Sequence, residues 1–197
     1  MIKAAMQTIL KDIASVQMGH AFRSRLERTE HGNVSVIQMK DLSEDNRVER
    51  DDLFRIDMAD LKERHIVKRE DIVLRSRGQT NTSALIDQDI GTAVIAAPLL
   101  RIRVKTEDVL PGYLSWFINQ PASQAWLTSH AKGTAVQMIS KQALEHLEVI
   151  IPPLEHQHRI VALAALATEE QRLLRELAEK RKQYMEGILM QIASGSQ

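Results

Sequence analysis

The chain has 197 residues, enough for one domain of ordinary size and an additional helix. It contains no cysteine, which excludes a disulfide framework and a thiolate zinc site, and we expect it in a reducing cytoplasm. Its 26 basic and 26 acidic residues cancel, so any nucleic-acid footprint must be local. The sequence predicts no signal peptide, and its most apolar run, residues 93–100, is too short to span a bilayer.

The predicted fold is α+β: an irregular β-rich domain over residues 1–153, one long helix over residues 154–192, and a tail over residues 193–197. The predicted elements begin with a turn or strand (8–16), a basic loop (19–28), a β segment (33–40), a charged loop (43–52) and a connector (58–64). A turn (68–71), a short buried strand (72–74), a polar loop (75–83) and two strands around Pro98 (92–97 and 99–104) follow. The last elements are helices that begin at Pro111 and Pro121, a short helix capped by Ser140, and a closing strand (147–151).

The long helix begins after Pro152 and Pro153, which end the closing strand because proline cannot donate a ladder hydrogen bond. Good helix formers dominate the residues that follow. Heptad spacing gives an apolar seam, interrupted at Glu170, Arg181 and Gln191. We predict that the seam forms a dimer or subunit interface, and its members are Ile160, Leu163, Ala167, Leu174, Leu177, Tyr184 and Ile188. The alternative is a helix that folds back on its own domain.

Several short motifs occur in a fixed order along the chain: Asp12-Ile13-Ala14, Gly19 to Arg23, Arg75 to Gly78, Lys132-Gly133-Thr134 followed by Ile139-Ser140-Lys141, and Leu147 through Glu155 to Gln157, Arg159 and Ile160. With the long helix behind them, they resemble the specificity subunit of type I restriction–modification enzymes over essentially the whole chain. The most specific part is the strand–Pro-Pro-Leu-Glu-x-Gln–helix junction. A full specificity subunit has two target-recognition domains, each followed by a long helix, and this sequence resembles one such unit.

The resemblance implies a half-length specificity subunit that dimerises to restore the two-domain layout. In that family each recognition domain reads one half of a bipartite DNA target, and the paired helices set the spacing. A two-fold dimer would read an inverted repeat around a gap. The subunit itself needs no cofactor and does no chemistry. Adenine methyltransferase subunits dock on it and use S-adenosylmethionine, and a restriction subunit can join them.

The residues also predict a chain that is not an enzyme. The eight glycines are scattered and no G-x-G pair occurs, so the sequence lacks a Gly-rich cofactor loop. No G-x-S-x-G elbow appears, and without cysteine no thiol nucleophile exists. His156 and His158 point to opposite faces of a helix and cannot chelate one ion together. We therefore predict no catalytic and no metal-binding residue.

Three polar, basic stretches are candidates for contact with DNA. The loop after the buried strand is the strongest, because Gly78 allows close backbone approach and neutral amides can read base edges. Arg75 and Arg77 alternate along an extended chain, so only one of them is expected to face DNA. The predicted DNA-binding residues are Arg23, Ser24, Arg25, Arg75, Arg77, Gly78, Gln79, Thr80, Asn81, Lys132, Thr134 and Lys141.

Two other functions are compatible with the residues. The first is a stand-alone dimeric DNA-binding protein, such as a regulator, without a methyltransferase partner. The second is a helical scaffold whose globular domain binds protein, which the overall neutrality allows. Co-purification of a methyltransferase subunit would separate the first alternative from the specificity subunit.

Overall fold

The computed structural model describes residues 5–22, 27–29, 31–43, 45–78, 80–133 and 136–195. The strands are β1 (Met6–Ile9), β2 (Ala14–Met18), β3 (Val34–Ile37), β4 (Phe54–Ile56), β5 (Ile72–Arg75), β6 (Ser83–Leu85), β7 (Ala93–Ile95), β8 (Leu99–Val104) and β9 (Glu148–Ile151). The helices are α1 (Leu10–Ile13), α2 (Pro111–Ile118), α3 (Pro121–His130), α4 (Lys141–Glu145) and α5 (Leu154–Ala193). The predicted α+β fold with a β-rich part and a long C-terminal helix is confirmed.

The chain divides into two compact units, Met1–Val161 and Ala162–Gln197. The first unit contains the sheets and helices α1 to α4, and the second contains the distal part of α5. Within the described residues, no helix combines the length and the apolarity that crossing a bilayer requires.

The described strands of the first unit pair into three sheets. The largest has the order β2-β8-β5-β6 and is antiparallel throughout. A second sheet has the order β4-β3-β7, in which β3 runs antiparallel to β4 and parallel to β7. Strand β1 pairs antiparallel with β9, so the beginning of the domain lies beside its closing strand.

Strand β5 is buried on both faces. Ile72 and Leu74 belong to a core cluster that includes Leu114 of α2, whereas Val73 belongs to a second cluster that includes Ile95 of β7. Successive side chains of a strand point to opposite faces, so one strand serves two cores. This placement explains why residues 72–74 form an uninterrupted apolar run.

Local signals located several elements correctly. Helices α2 and α3 begin at Pro111 and Pro121, and proline suits the first helical position because that position has no intrahelical N–H partner. The Ser140 hydroxyl accepts a hydrogen bond from the N–H of Ala143 at 3.0 Å and caps α4 as predicted.

Other boundaries differ from the prediction. The segment predicted over residues 33–40 ends as a strand at Ile37, because Gln38 and Asp41 form a reciprocal cap around a tight helical turn at Met39–Asp41. The predicted loop 75–83 ends one residue early, since Ser83 begins β6. Strands β4 and β6 were not predicted, and both have only three residues.

Arg101 and Arg103 of β8 converge on a single buried carboxylate, that of Asp71 just before β5. Arg103 binds Asp71 in a bidentate pair, with both nitrogen–oxygen distances 2.6 Å. This pairing holds the pKa of Arg103 above its usual value, whereas burial lowers the pKa of Arg101. Arg101 donates to Gln17 Oε1 at 2.6 Å. The network therefore ties β2, β8 and the approach to β5 together on one face of the large sheet.

Gln157 fastens the first turn of α5 to the rest of the first unit. Its side chain is fully buried, and Nε2 donates to the carbonyl oxygens of Asp108 and Pro152, both at 2.8 Å. Its Oε1 accepts from the N–H of Leu110 at 2.8 Å, directly before α2. A buried amide is tolerated only when its donors and acceptor are satisfied, and here all are.

We predict that Gln157→Ala lowers the free energy of unfolding by about 3 kcal/mol, because it leaves three buried backbone groups without their side-chain partner. Urea unfolding of the full chain, followed by circular dichroism, measures this change. His158→Ala is the matched control, since His158 is the exposed neighbour on the same helical turn. Equal unfolding midpoints for the two variants would contradict the prediction.

Candidate nucleic-acid interface

The two arginines at the end of β5, Arg75 in its last position and Arg77 just beyond it, have different environments. Arg75 is half-buried, and its guanidinium donates to the carbonyl oxygens of Leu42 and Met39. Arg77 is exposed. That only one of the two faces DNA stays a prediction, and Arg77 is the more exposed of the pair. Arg75 does not have the free guanidinium that the predicted DNA contact assumed, because this group holds the chain segment at residues 39–42.

Asn81 is also not where the sequence analysis expected it. It is 4% exposed, and its Nδ2 donates to the carbonyl oxygen of Arg75 at 2.9 Å. Its backbone N–H and carbonyl both bind the side-chain amide of Gln124 on α3, at 3.3 and 3.1 Å. Asn81 therefore closes the loop and cannot reach a base edge. Thr80, beside it, is exposed.

Lys132 and Arg77, which are far apart in sequence, are joined through Met138. Met138 forms an antiparallel bridge with each of them. Met138 and Lys132 exchange both backbone hydrogen bonds, at 2.9 and 3.0 Å. Bridged residues project side chains to the same face, so the three form one row, which we call the outer row (Arg77, Met138, Lys132). All three side chains are exposed.

Two of the residues next to the outer row point inward and anchor it. Ile139 and Ser76 are fully buried, and the N–H of Ile139 donates to the carbonyl of Ser76 at 2.7 Å. The Ser76 hydroxyl donates to the carbonyl of Pro98. The outer row is therefore the exposed face of a short ladder whose other face is core.

Two glycines have positive φ angles in this region, 127° at Gly78 and 129° at Gly133. A Cβ at Gly133 would lie 2.4 Å from the carbonyl oxygen of Val136, so no side chain fits there. A Cβ at Gly78 would meet no atom within 4 Å, so the backbone at Gly78 faces open space. This openness is compatible with the predicted approach of a phosphate.

Lys141 begins α4 just after the ladder. It is exposed and lies 3.6 Å from Glu145, its ion-pair partner one turn later. Of the remaining predicted DNA-binding residues, Arg23, Ser24, Arg25, Gln79 and Thr134 lie outside the described residues. Phe22, in the predicted basic loop (19–28), packs against the cluster formed by β3, β4 and β7 and contacts the His20 ring edge-on.

Met138 and Val136 were not among the predicted site residues. They are 40% and 44% exposed, respectively. The sequence around Met138 did not mark it as exposed, because consecutive apolar residues of an extended segment can be buried on both faces, as in β5. Within the described residues, no group of three or more histidine or acidic side chains is placed to hold a metal ion.

The predicted seam of α5 is largely exposed in the single chain. Leu163, Leu174, Leu177 and Tyr184 are between 56% and 70% exposed, Ala167 is exposed, and Ile160 and Ile188 are half-buried. Further exposed apolar side chains of the second unit are Leu166, Leu173, Met185, Leu189, Met190 and Ile192.

Charged pairs occupy the helix surface away from the seam. Arg172 binds Glu169 at 2.7 Å and Glu176 at 3.2 Å, and Lys180 binds Glu176 at 2.9 Å. The pair with Glu169 raises the pKa of Arg172, and Lys180 together with Arg172 lowers the pKa of Glu176. Pairs spaced three or four residues apart support a helix locally.

Comparison with known proteins identifies the family. The sequence model of the type I restriction modification DNA specificity domain matches residues 6–169. The chain belongs to this family. The resemblance seen in the sequence is thereby confirmed, and the matched region includes the outer row, the closing strand and the first turns of α5. Among curated proteins, none matches this chain.

Solved structures of type I restriction–modification proteins share the fold. A chain from a study of complex assembly and conformational transition of the type I system has a TM-score of 0.72 at 16% identity, covering 93% of this chain and 43% of that one. The HsdS subunit from Thermoanaerobacter tengcongensis gives 0.61 at 14% identity, with 88% and 39% covered. The type I S subunit from M. genitalium gives 0.62 at 13% identity, with 100% and 47% covered. This chain thus spans less than half the length of these relatives.

We predict stability effects of different size for the two arginines at the end of β5. Arg75→Ala should lower the free energy of unfolding by roughly 2 kcal/mol, because the carbonyls of Leu42 and Met39 lose a charged donor. Arg77→Ala should change it by less than about 0.5 kcal/mol, as for an ordinary exposed side chain. Urea unfolding of both variants tests this order, and a larger loss for Arg77→Ala would reverse the assignment.

Proposed function

We propose that this chain is the DNA-recognition subunit of a type I restriction–modification system, dimerising through α5 so that two copies read a bipartite target. The family match over residues 6–169 is the observation that carries the proposal. This chain matches less than half the length of each solved structure. The match supports a role for each copy as one recognition domain with one spacer helix. Methyltransferase and restriction subunits docked on the dimer would supply the chemistry, and the chain itself needs no cofactor.

The proposed DNA contacts are those predicted residues that the structure leaves accessible. Arg77 and Lys132 contact phosphates, Gly78 and Thr80 approach the DNA backbone beside Arg77, and Lys141 extends the contact along α4. Phosphate contacts position a protein on the duplex without specifying sequence. Arg23, Ser24, Arg25, Gln79 and Thr134 complete the proposed set from the sequence.

Local charge supports this choice of surface. The chain is neutral overall, so DNA must be attracted by cations that are not neutralised nearby. Within the part of the chain that the structure describes, neither Arg77 nor Lys132 has an ion-pair partner. By contrast, Arg103 and Arg172 are held by carboxylates. The outer row therefore carries the kind of charge that a polyanion would neutralise.

We predict that Arg77→Ala and Lys132→Ala each weaken the binding of the full chain to duplex DNA of mixed sequence by up to tenfold at about 0.1 M salt. Each should also reduce the slope of log affinity against log salt concentration by about 1, because one phosphate contact is lost. Fluorescence anisotropy at several salt concentrations measures both quantities.

Arg69→Ala is the matched control for this experiment. Arg69 is an exposed arginine in the turn before β5, whereas Arg77 follows the same strand, so the two lie at opposite ends of it. An equal loss of affinity for Arg69→Ala would indicate diffuse attraction and would remove the assignment to the outer row.

The exposed seam of α5 supports the proposed dimer. The leucines at heptad spacing are more than half exposed, and only a partner can remove them from water. The charged pairs keep the other side of the helix in contact with solvent. Two such helices related by a two-fold axis would hold two recognition domains at a fixed separation, and the target would be an inverted repeat with a gap.

We predict that Leu163→Glu and Leu174→Glu convert a dimer of the full chain into a monomer, because each places a charge in the seam. Light scattering coupled to size-exclusion chromatography measures the mass. Ala165→Glu is the matched control, since Ala165 is exposed and lies outside the seam. A wild-type chain that is already monomeric would refute self-association and leave the seam for a different subunit.

A further inference from the structure

Met138 is an exposed apolar residue between two cations, and packing does not account for it. Its neighbour Ile139 enters the core and is fully buried, while Met138 remains 40% exposed in the middle of the outer row. An isolated exposed methionine on a surface needs no explanation, but this one is held by backbone pairing on both sides. Its position in the row is therefore fixed by the fold.

The backbone hydrogen bonds set the width of the row. Met138 and Lys132 exchange both N–H and carbonyl groups, which places their Cα atoms about 5.5 Å apart in such a pair. Arg77 and Met138 do not bond to each other but are flanked by the hydrogen bonds from Ile139 to Ser76 and from Gly78 to Gln137. In a pair of this kind the two Cα atoms are closer, about 4.5 Å apart. The row is thus roughly 10 Å wide, comparable to the major groove of about 12 Å.

The three side chains differ in what they can bind. Arginine and lysine bind phosphates by charge, whereas methionine forms no strong hydrogen bond and favours apolar, polarisable contacts. In the major groove the 5-methyl group of thymine is the apolar group that the base edges present. A methionine between two phosphate-binding cations therefore has one distinctive ligand on DNA.

Building on the proposed DNA-binding function, we propose that Met138 is a specificity-determining residue that contacts the 5-methyl group of a thymine in the major groove, while Arg77 and Lys132 hold phosphates on either side. The flanking cations lack ion-pair partners within the described residues, and this favours a polyanion over an apolar protein surface as the occupant. Met138 then contributes to the choice of sequence, and its neighbours contribute to affinity for any sequence.

The first experiment selects bound duplexes from a pool with randomised base pairs, using the full chain of the wild type, Met138→Ala, Met138→Gln and Arg77→Ala. The two Met138 variants should lose the preference for thymine at one position of each half-site and keep the other preferences. Arg77→Ala should keep all preferences with lower affinity. Met138→Gln retains a long side chain and separates the loss of the apolar contact from any effect of a shortened residue.

The second experiment replaces that thymine with uracil, which removes only the methyl group. Wild-type affinity should fall about fourfold, the effect of one buried methyl-sized group, and the affinity of Met138→Ala should not change. Uracil at the other thymines of the site serves as the control. Met138→Ala and the wild type should unfold at the same urea concentration, because the side chain is exposed.

The outcomes separate this inference from the function on which it rests. A wild-type chain that enriches no sequence overturns the proposed function and this inference with it. If the wild type enriches a site and both Met138 variants enrich that site with the same base preferences, the role of Met138 alone is overturned. Met138 variants that keep their DNA preferences but no longer bind a methyltransferase subunit would assign the residue to a protein contact and would likewise overturn it.

Discussion

The buried amide of Gln157 is the interaction on which the junction between strand, prolines and helix depends. Its three hydrogen bonds reach Asp108, Leu110 and Pro152, so one side chain satisfies the backbone before α2 and after β9 together. Pro152 and Pro153 have no N–H to offer, and the chain that leaves the sheet there cannot be held by ladder bonds. A glutamine has both the donors and the acceptor that this place requires, whereas a carboxylate or an alkyl chain would lack one or both. The glutamine of the motif that first suggested the family thus has a structural role at this turn.

Much of the fold could be predicted because its signals are local. Pro111 and Pro121 at helix starts, Ser140 as a cap and the apolar run of β5 depend on residues within one turn or one strand. The short strands β4 and β6 could not be found this way, because three residues contain too little periodicity. They are defined by their pairing with β3 and β5, which a three-residue pattern does not indicate.

The candidate site shows the same division between local and long-range information. Sequence reasoning marked Arg77 and the lysine before Gly133, yet it could not show that Met138 joins them. It also counted Arg75 and Asn81 as available, and both are held by partners from other segments, Leu42 and Gln124. Side-chain chemistry can be read from a sequence, but which polar group is already occupied is decided by tertiary contacts.

The ladder beneath the outer row separates buried side chains from exposed ones. Ser76 and Ile139 bury their side chains and form the backbone bonds that define the row, while Arg77, Met138 and Lys132 contribute little to the core. Substitution at the outer positions therefore changes the surface that a partner meets without requiring the interior to be repacked. A frame of this kind accommodates a different set of three outward side chains on an unchanged domain. If the outer row reads DNA as proposed, exchanging these three side chains changes the preferred sequence and leaves the fold as it is.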